Sequence, residues 1–180
     1  MTTTEIQSIS QDLKENEGNS LTIKDDKEYK IYLGSKTDKP FIITKNINPL
    51  YNLSGFVKMY KDSFKEDSIY IPDFVKEEDM KFIWDFVVKY EESFNYRLGM
   101  VTEDFSINIS KPIMDEEQLR KEISNEIYFF VNKVFVNRTF SRMLDVAMCL
   151  DIQVLIEIIC AKIALDIKFM PMHQLQNYFR

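Results

Sequence analysis

The chain has 180 residues, 45% of them apolar and 13% aromatic, which is enough for one domain with a packed core. Its 29 acidic residues outnumber 23 basic ones, and the resulting net charge of −6 disfavours a phosphate-backbone partner. With only 4 glycines, 5 prolines and 2 cysteines, it reads as neither a low-complexity chain nor a turn-dense all-β fold nor a secreted disulfide scaffold.

Residues 1–27 are polar and then charged. They carry too little apolar area to offset the entropy of ordering, and are expected to form a flexible tail. MTTTEIQSISQDLKENEGNS has no apolar stretch of the kind a secretory leader needs. In KIYLGSKTDKPFIITKN, Ile31 and Leu33 alternate with other residues, and Phe41 and Ile43 do the same after a turn region at 34–39. That pattern predicts a β-hairpin, with Pro40 opening its second strand. Residues 48–62 suggest a short helix pair, with Ser54 as an N-cap and Phe56, Val57 and Tyr60 on one face. DSIYIPD predicts a third strand ending at Pro72.

VKEEDMKFIWDFVVKYEES has helical spacing through Met80, Ile83, Trp84, Val87 and Val88. Glu77, Glu78 and Asp79 suit its first turn, where the helix dipole favours negative charge. Residues of about 94–118, with Gly99 and Pro112, read as an insertion or long loop. One further helix is marked by Leu119, Ile123, Ile127, Phe130, Val131 and Val134, and another by Phe140, Met143, Leu144, Ala147 and Leu150. Asp151 ends that helix or begins the next.

The last long helix, IQVLIEIICAKIALDIKF, has apolar residues in two directions. Ile156, Ile159, Cys160, Ile163 and Ile167 form one stripe, while Leu155, Ile158 and Leu165 form another side. A surface helix normally has one apolar stripe. Either this helix is central to the fold, or its second face meets a partner. Gln153, Glu157, Lys162 and Asp166 interrupt it, so it does not read as a membrane span.

The motifs of catalysis are missing from the sequence. There is no Walker loop, G-x-G-x-x-G, G-x-S-x-G or H-E-x-x-H. One histidine, His173, and two separated cysteines do not make a structural zinc site. Cys149 and Cys160 lie in apolar sequence and are expected to be reduced core residues rather than nucleophiles. These readings predict a protein that is not an enzyme and needs no cofactor or metal.

The C-terminal segment FSRMLDVAMCLDIQVLIEIICAKIALDIKFMPMHQLQNYF resembles the S-phase kinase-associated (Skp) family, the adaptor subunits of SCF ubiquitin ligases. That family has an amphipathic helix, an LNI-like turn, a Leu-rich helix containing a Cys, a linker and a closing helix. Here the turn is Leu150-Asp151-Ile152, the Cys is Cys160, the linker starts at Ile167-Lys168, and the last piece ends at Phe179. Upstream, KIYLGSKTDKPFII resembles the opening hairpin of a BTB/POZ fold, SIYIPDF its third strand, and MKFIWDFVVKY the helix that follows. The resemblance covers about residues 30–93 and 128–180. Three features depart from the family, the first being that its last helix and tail, which help clasp the F-box, have no counterpart in a sequence ending at Arg180. Met148 and Cys149 stand where it usually has an Asn-Tyr pair facing the cullin, and Pro171, Met172, His173 and Gln174 replace its TPEE-like acids.

The resemblance implies an α+β fold: a BTB/POZ-like three-stranded sheet covered by helices over residues 28–136, with Skp-type helices at 137–180. It implies an adaptor that links an F-box substrate receptor to a cullin scaffold, as part of a hetero-oligomer in the cytoplasm and nucleus. Neither nucleic acid nor membrane is an expected partner. By the same resemblance, Leu155, Ile158, Ile159, Lys162, Ile163 and Leu175 would hold the F-box-type partner, and Met148 and Cys149 would face the cullin. The alternative is a BTB-like structural or interaction subunit, elongin-C-like or kinetochore-type, that no longer binds a cullin.

Overall fold

The structure is a computed structural model, and it describes residues 27–34, 39–64, 66–98 and 113–178. The predicted tail up to residue 26, the tip of the predicted hairpin turn, and residues 99–112 of the predicted insertion lie outside the described residues. The described residues form eight helices and one three-stranded sheet, an α+β arrangement.

Strand β1 (Tyr29–Leu33) pairs antiparallel with β2 (Ile42–Thr44) and parallel with β3 (Ser68–Ile71), giving the order β2-β1-β3. Tyr29, Ile31, Ile69 and Ile71 point into the core, while Lys30 and Tyr70 point out, the two-residue alternation of a half-buried sheet. The hairpin differs from expectation by one residue. Ile31 lies opposite Ile42, so Ile43 turns outward and is 57% exposed. Pro40 stands before the strand, and the Phe41 N–H bonds to the Ile31 carbonyl at 2.7 Å. A consecutive Phe-Ile-Ile run carries no alternation to choose between the two registers.

Helices α1 (Asn48–Leu53) and α2 (Gly55–Phe64) are the expected pair, with Pro49 in the first turn of α1 and Ser54 between them. Helix α3 (Glu77–Leu98) buries Met80, Ile83, Phe86, Val87 and Tyr90 and packs most closely against α1. It runs through residues 94–98, where the sequence suggested an insertion, because nothing in KYEESFNYRL breaks a helix before Gly99. The single helix expected around residues 119–134 is two helices, α4 (Glu116–Ile123) and α5 (Asn125–Val136). Ser124 divides them at φ 77°, a left-handed conformation that no helix can continue through. Its hydroxyl accepts the Ile127 N–H at 3.3 Å and so starts α5.

Helices α6 (Phe140–Cys149), α7 (Gln153–Ile167) and α8 (Met172–Tyr178) follow. One apolar cluster joins Ile31, Leu50, Ile69, Met80, Ile127, Leu150 and Leu155. The boundary read at residue 136 therefore does not separate two cores.

Candidate docking surface

The turn between α6 and α7 is built by Leu150, Asp151 and Ile152. Asp151 has φ 49°, and short polar residues tolerate this region better than most. The Ile152 N–H bonds back to the Ala147 carbonyl at 2.9 Å and the Asp151 N–H to Met148 at 3.2 Å, which closes α6 as a Schellman motif. The junction of α1 and α2 clamps this turn. The buried Ser54 hydroxyl donates to the Leu150 carbonyl at 2.6 Å and accepts the Val57 N–H at 3.2 Å. The N–H groups of Gly55 and Phe56 donate to the carbonyls of Asp151 and Leu150 at 2.9 and 3.3 Å. A Cβ at Gly55 would lie 1.9 Å from Asp151 Oδ2, so a larger residue there requires the Asp151 carboxylate to swing aside.

The start of α7 is thereby held against the N-terminal half. Val154, Leu155, Ile158, Ile159 and Lys162 are buried on its inner side. On its outer side Gln153, Cys160 and Ala164 are exposed, and Ile156, Ile163 and Ile167 are half-buried. Phe169 and Met172, just beyond, are 86% and 78% exposed. The helix is thus apolar both toward the core and toward solvent. The small exposed Cys160 and Ala164, flanked by the half-buried Ile156, Ile163 and Ile167, make this side a candidate interaction surface.

The predicted partner-binding residues divide between the two sides. Leu155, Ile158 and Ile159 are 0–1% exposed and have no surface to offer a partner in this conformation. They anchor the helix instead. Lys162 is also inside. It pairs with Glu116 Oε1 at 3.0 Å and with Asp166, and its Nζ sits 5.5 Å from the centre of the Phe135 ring. Burial pulls the pKa of Lys162 down, but hydrogen bonds to Asp166 and Glu116 outweigh it, and the net shift is upward. Lys162 in turn holds Glu116 below the ordinary carboxylate range.

Ile163 lies half-buried toward the open side, and Leu175 is half-buried on α8. Met148 is 60% exposed, while Cys149 is half-buried, and burial pushes its thiol pKa up. Cys160 is exposed, not in the core as expected. Its apolar neighbours gave the wrong signal because α7 is apolar on both sides. Sequence reasoning missed Ala164 on the open face and the exposed Phe169 and Met172 beyond it. A projection at 100° per residue would have put Cys160 and Ala164 opposite Leu155, Ile158, Ile159 and Lys162.

Helix α8 buries none of its residues fully. Tyr178 ties it down, with its ring 5.1 Å from that of Phe140 and its hydroxyl donating to Asp166 Oδ2 at 2.8 Å. Burial and that bond push the Tyr178 pKa up. His173 is exposed on the same helix. A crevice of about 10 Å³ between Leu119, Tyr128, Phe135, Ile158 and Lys162 has room for one water and not for a substrate. Among the described residues no group of three or more His, Cys, Asp and Glu side chains could hold a metal ion. Among them, too, no helix is long and apolar enough to cross a membrane.

No protein-family model, curated protein or solved structure matches the chain. The functional reading therefore rests on the residues of the open face and on the order of the elements that hold it.

Proposed function

We propose that this chain is an adaptor subunit of an SCF-type E3 ubiquitin ligase, with a BTB/POZ-like body and Skp-type closing helices. The observation that carries the reading is the outer side of α7, an apolar helix face left open on a helix whose inner side is locked in the core. The element order supports it. A hairpin, a third strand ending at Ile71 and a long helix follow one another as the resemblance implies, and the Leu150-Asp151-Ile152 turn leads directly into α7.

The partner seat is Ile156, Cys160, Ile163, Ala164 and Ile167 on α7. Leu155, Ile158 and Ile159 keep the seat rigid from behind. An F-box-type helical motif would cover this face, and the exposed Met148 with Cys149 would meet the cullin. The work is done by proximity: substrate and ubiquitin-loaded enzyme are brought to high effective concentration, with no acid, base or metal from this chain. A stable contact of this type buries on the order of 1,200–2,000 Å², and each apolar side chain fully covered contributes roughly 1.5–3 kcal/mol. A cytoplasmic and nuclear location goes with that work.

The test is a pull-down of the recombinant chain against F-box proteins and cullins, alongside Cys160→Asp and Ala164→Asp. Recovery of both partners by the parent chain, and loss of the F-box protein in the variants, is the expected result. Recovery of neither partner by the parent removes this function. A second reading, a BTB-like interaction subunit that no longer binds a cullin, is favoured by one observation. The apolar Met148-Cys149 pair occupies the place of the family's Asn-Tyr, and Met148 is 60% exposed. An F-box protein recovered without cullin identifies that case.

A further inference from the structure

The open side of α7 has a pattern that fits itself. Cys160 and Ala164, both small and exposed, sit at its centre. Ile156, Ile163 and Ile167 form a ridge along one edge, while Glu157 and Lys168 lie along the other edge, near opposite ends of the helix. On a helical projection Glu157 and Lys168 are only about 20° apart. Both are equally far from the midpoint between residues 162 and 163.

We propose that α7 seats a second copy of this chain, packed antiparallel about a two-fold axis through that midpoint. In such an isologous contact each edge meets the same edge of the partner. Glu157 of one copy then faces Lys168 of the other, twice over. The Ile163 side chains meet near the axis, Ile156 of each copy lies against Ile167 and Phe169 of the other, and Cys160 lies level with Ala164. Small residues at the centre let the two helices approach to about 8–10 Å between axes. Phe169, 86% exposed in the single chain, gains a cover.

Lys168 already donates to the Met114 carbonyl at 3.1 Å and lies over the Phe169 ring. An ammonium has three donors, which leaves it able to meet Glu157 as well. In a parallel two-fold pairing opposite edges meet, so Glu157 and Lys168 of one copy would lie against the isoleucine ridge of the other with no counter-charge, and charge selects the antiparallel form. The face is the one the adaptor reading gives to an F-box-type partner, which would replace the second copy. The inference does not depend on that reading.

Two experiments on the full chain test it. Light scattering at increasing concentration is expected to reach a mass twice the 21.4 kDa of one chain. Glu157→Lys and Lys168→Glu are each expected to weaken self-association by about tenfold or more, and the double variant to restore it. Mild oxidation of the C149S/A164C variant is expected to link Cys160 of one copy to the thiol introduced by A164C in the other. C149S alone should not cross-link. The two Cys160 positions are about five residues out of level, which puts their Cα atoms beyond the roughly 7 Å a disulfide spans. A chain that stays at a single mass, a charge swap that does not restore the dimer, or ready Cys160–Cys160 linkage would each overturn the proposal. A failed pull-down with the dimer intact would leave it standing and remove only the adaptor reading. A monomer that binds an F-box protein would do the reverse.

Discussion

Replacing Ser54 by Ala removes one hydroxyl from the place where α1, α2 and the turn before α7 meet. Ser54 is 1% exposed, and its Oγ makes two bonds, to the Leu150 carbonyl at 2.6 Å and from the Val57 N–H at 3.2 Å. The second bond is an N-cap, worth about 1 kcal/mol. The first is a buried hydrogen bond between neutral groups, also worth about 1 kcal/mol net. Leu150 keeps the Phe56 N–H at 3.3 Å, so its carbonyl is not orphaned and no larger desolvation penalty follows. Alanine fills nearly the same space, so no cavity term is added. The sum is about 2 kcal/mol. With a urea dependence of about 2 kcal/mol per molar, the unfolding midpoint should fall by about 1 M. Amide exchange of Gly55 and Phe56, which donate across the same junction, should speed up with it. A midpoint shift below about a quarter of that, or exchange changes confined to α2, would show that the hydroxyl does not join the two halves.

Three more outcomes are expected. Arg142 bonds Glu78 at 3.0 Å and also pairs with the 5%-exposed Asp79, so Arg142→Ala should destabilise by about 2 kcal/mol, and a cycle with Asp79→Asn should show strong coupling. The pKa of Glu116 is depressed below its ordinary 4.5, chiefly by Lys162, so its stabilising effect is present above that value and is lost as pH falls through the folded-state pKa. Lys162, whose pKa is raised, acts in the opposite sense: its contribution is present below 10.5 and fades as pH rises through the folded value. Urea midpoints measured against pH should therefore fall less steeply on the acid side in Lys162→Met, and an unchanged slope would contradict the pairing. In dilute solution a maleimide should label the exposed Cys160 quickly and the half-buried Cys149, whose thiol pKa is raised, slowly, as read by mass spectrometry over time.

Most helices were legible because their apolar residues recur at the helical period, as in Met80, Ile83 and Val87 of α3. Ser54 was legible as a cap because a short hydroxyl side chain between two apolar runs has few other uses. Where periodicity is ambiguous, the reading failed. Phe41, Ile42 and Ile43 allow two strand registers, and only pairing with Ile31 decides between them. Leu119, Ile123 and Ile127 keep a helical spacing across Ser124, which hides the break at φ 77°. In α7 both sides are apolar, so the sequence marks a helix with two faces and not which of them turns inward. That choice is made by long-range packing against α6 and by the clamp on Leu150 and Asp151. The family resemblance assigns Lys162 to a partner, and its pairing with Glu116 is hidden in the sequence because that carboxylate comes from another helix.

One apolar cluster runs from Ile31 in β1 to Leu155 in α7, so the closing helices are walls of the same room as the sheet. A fragment ending near residue 136 would lose Leu150, Ile152, Leu155 and Ile158 together, four side chains that are 0–1% exposed. Such a piece would be sticky whatever its normal partners are, and in a cell it would draw chaperones and proteases. Binding seen with halves of this molecule would report exposed interior, whereas single substitutions on the outer side of α7 in the intact chain leave that interior closed.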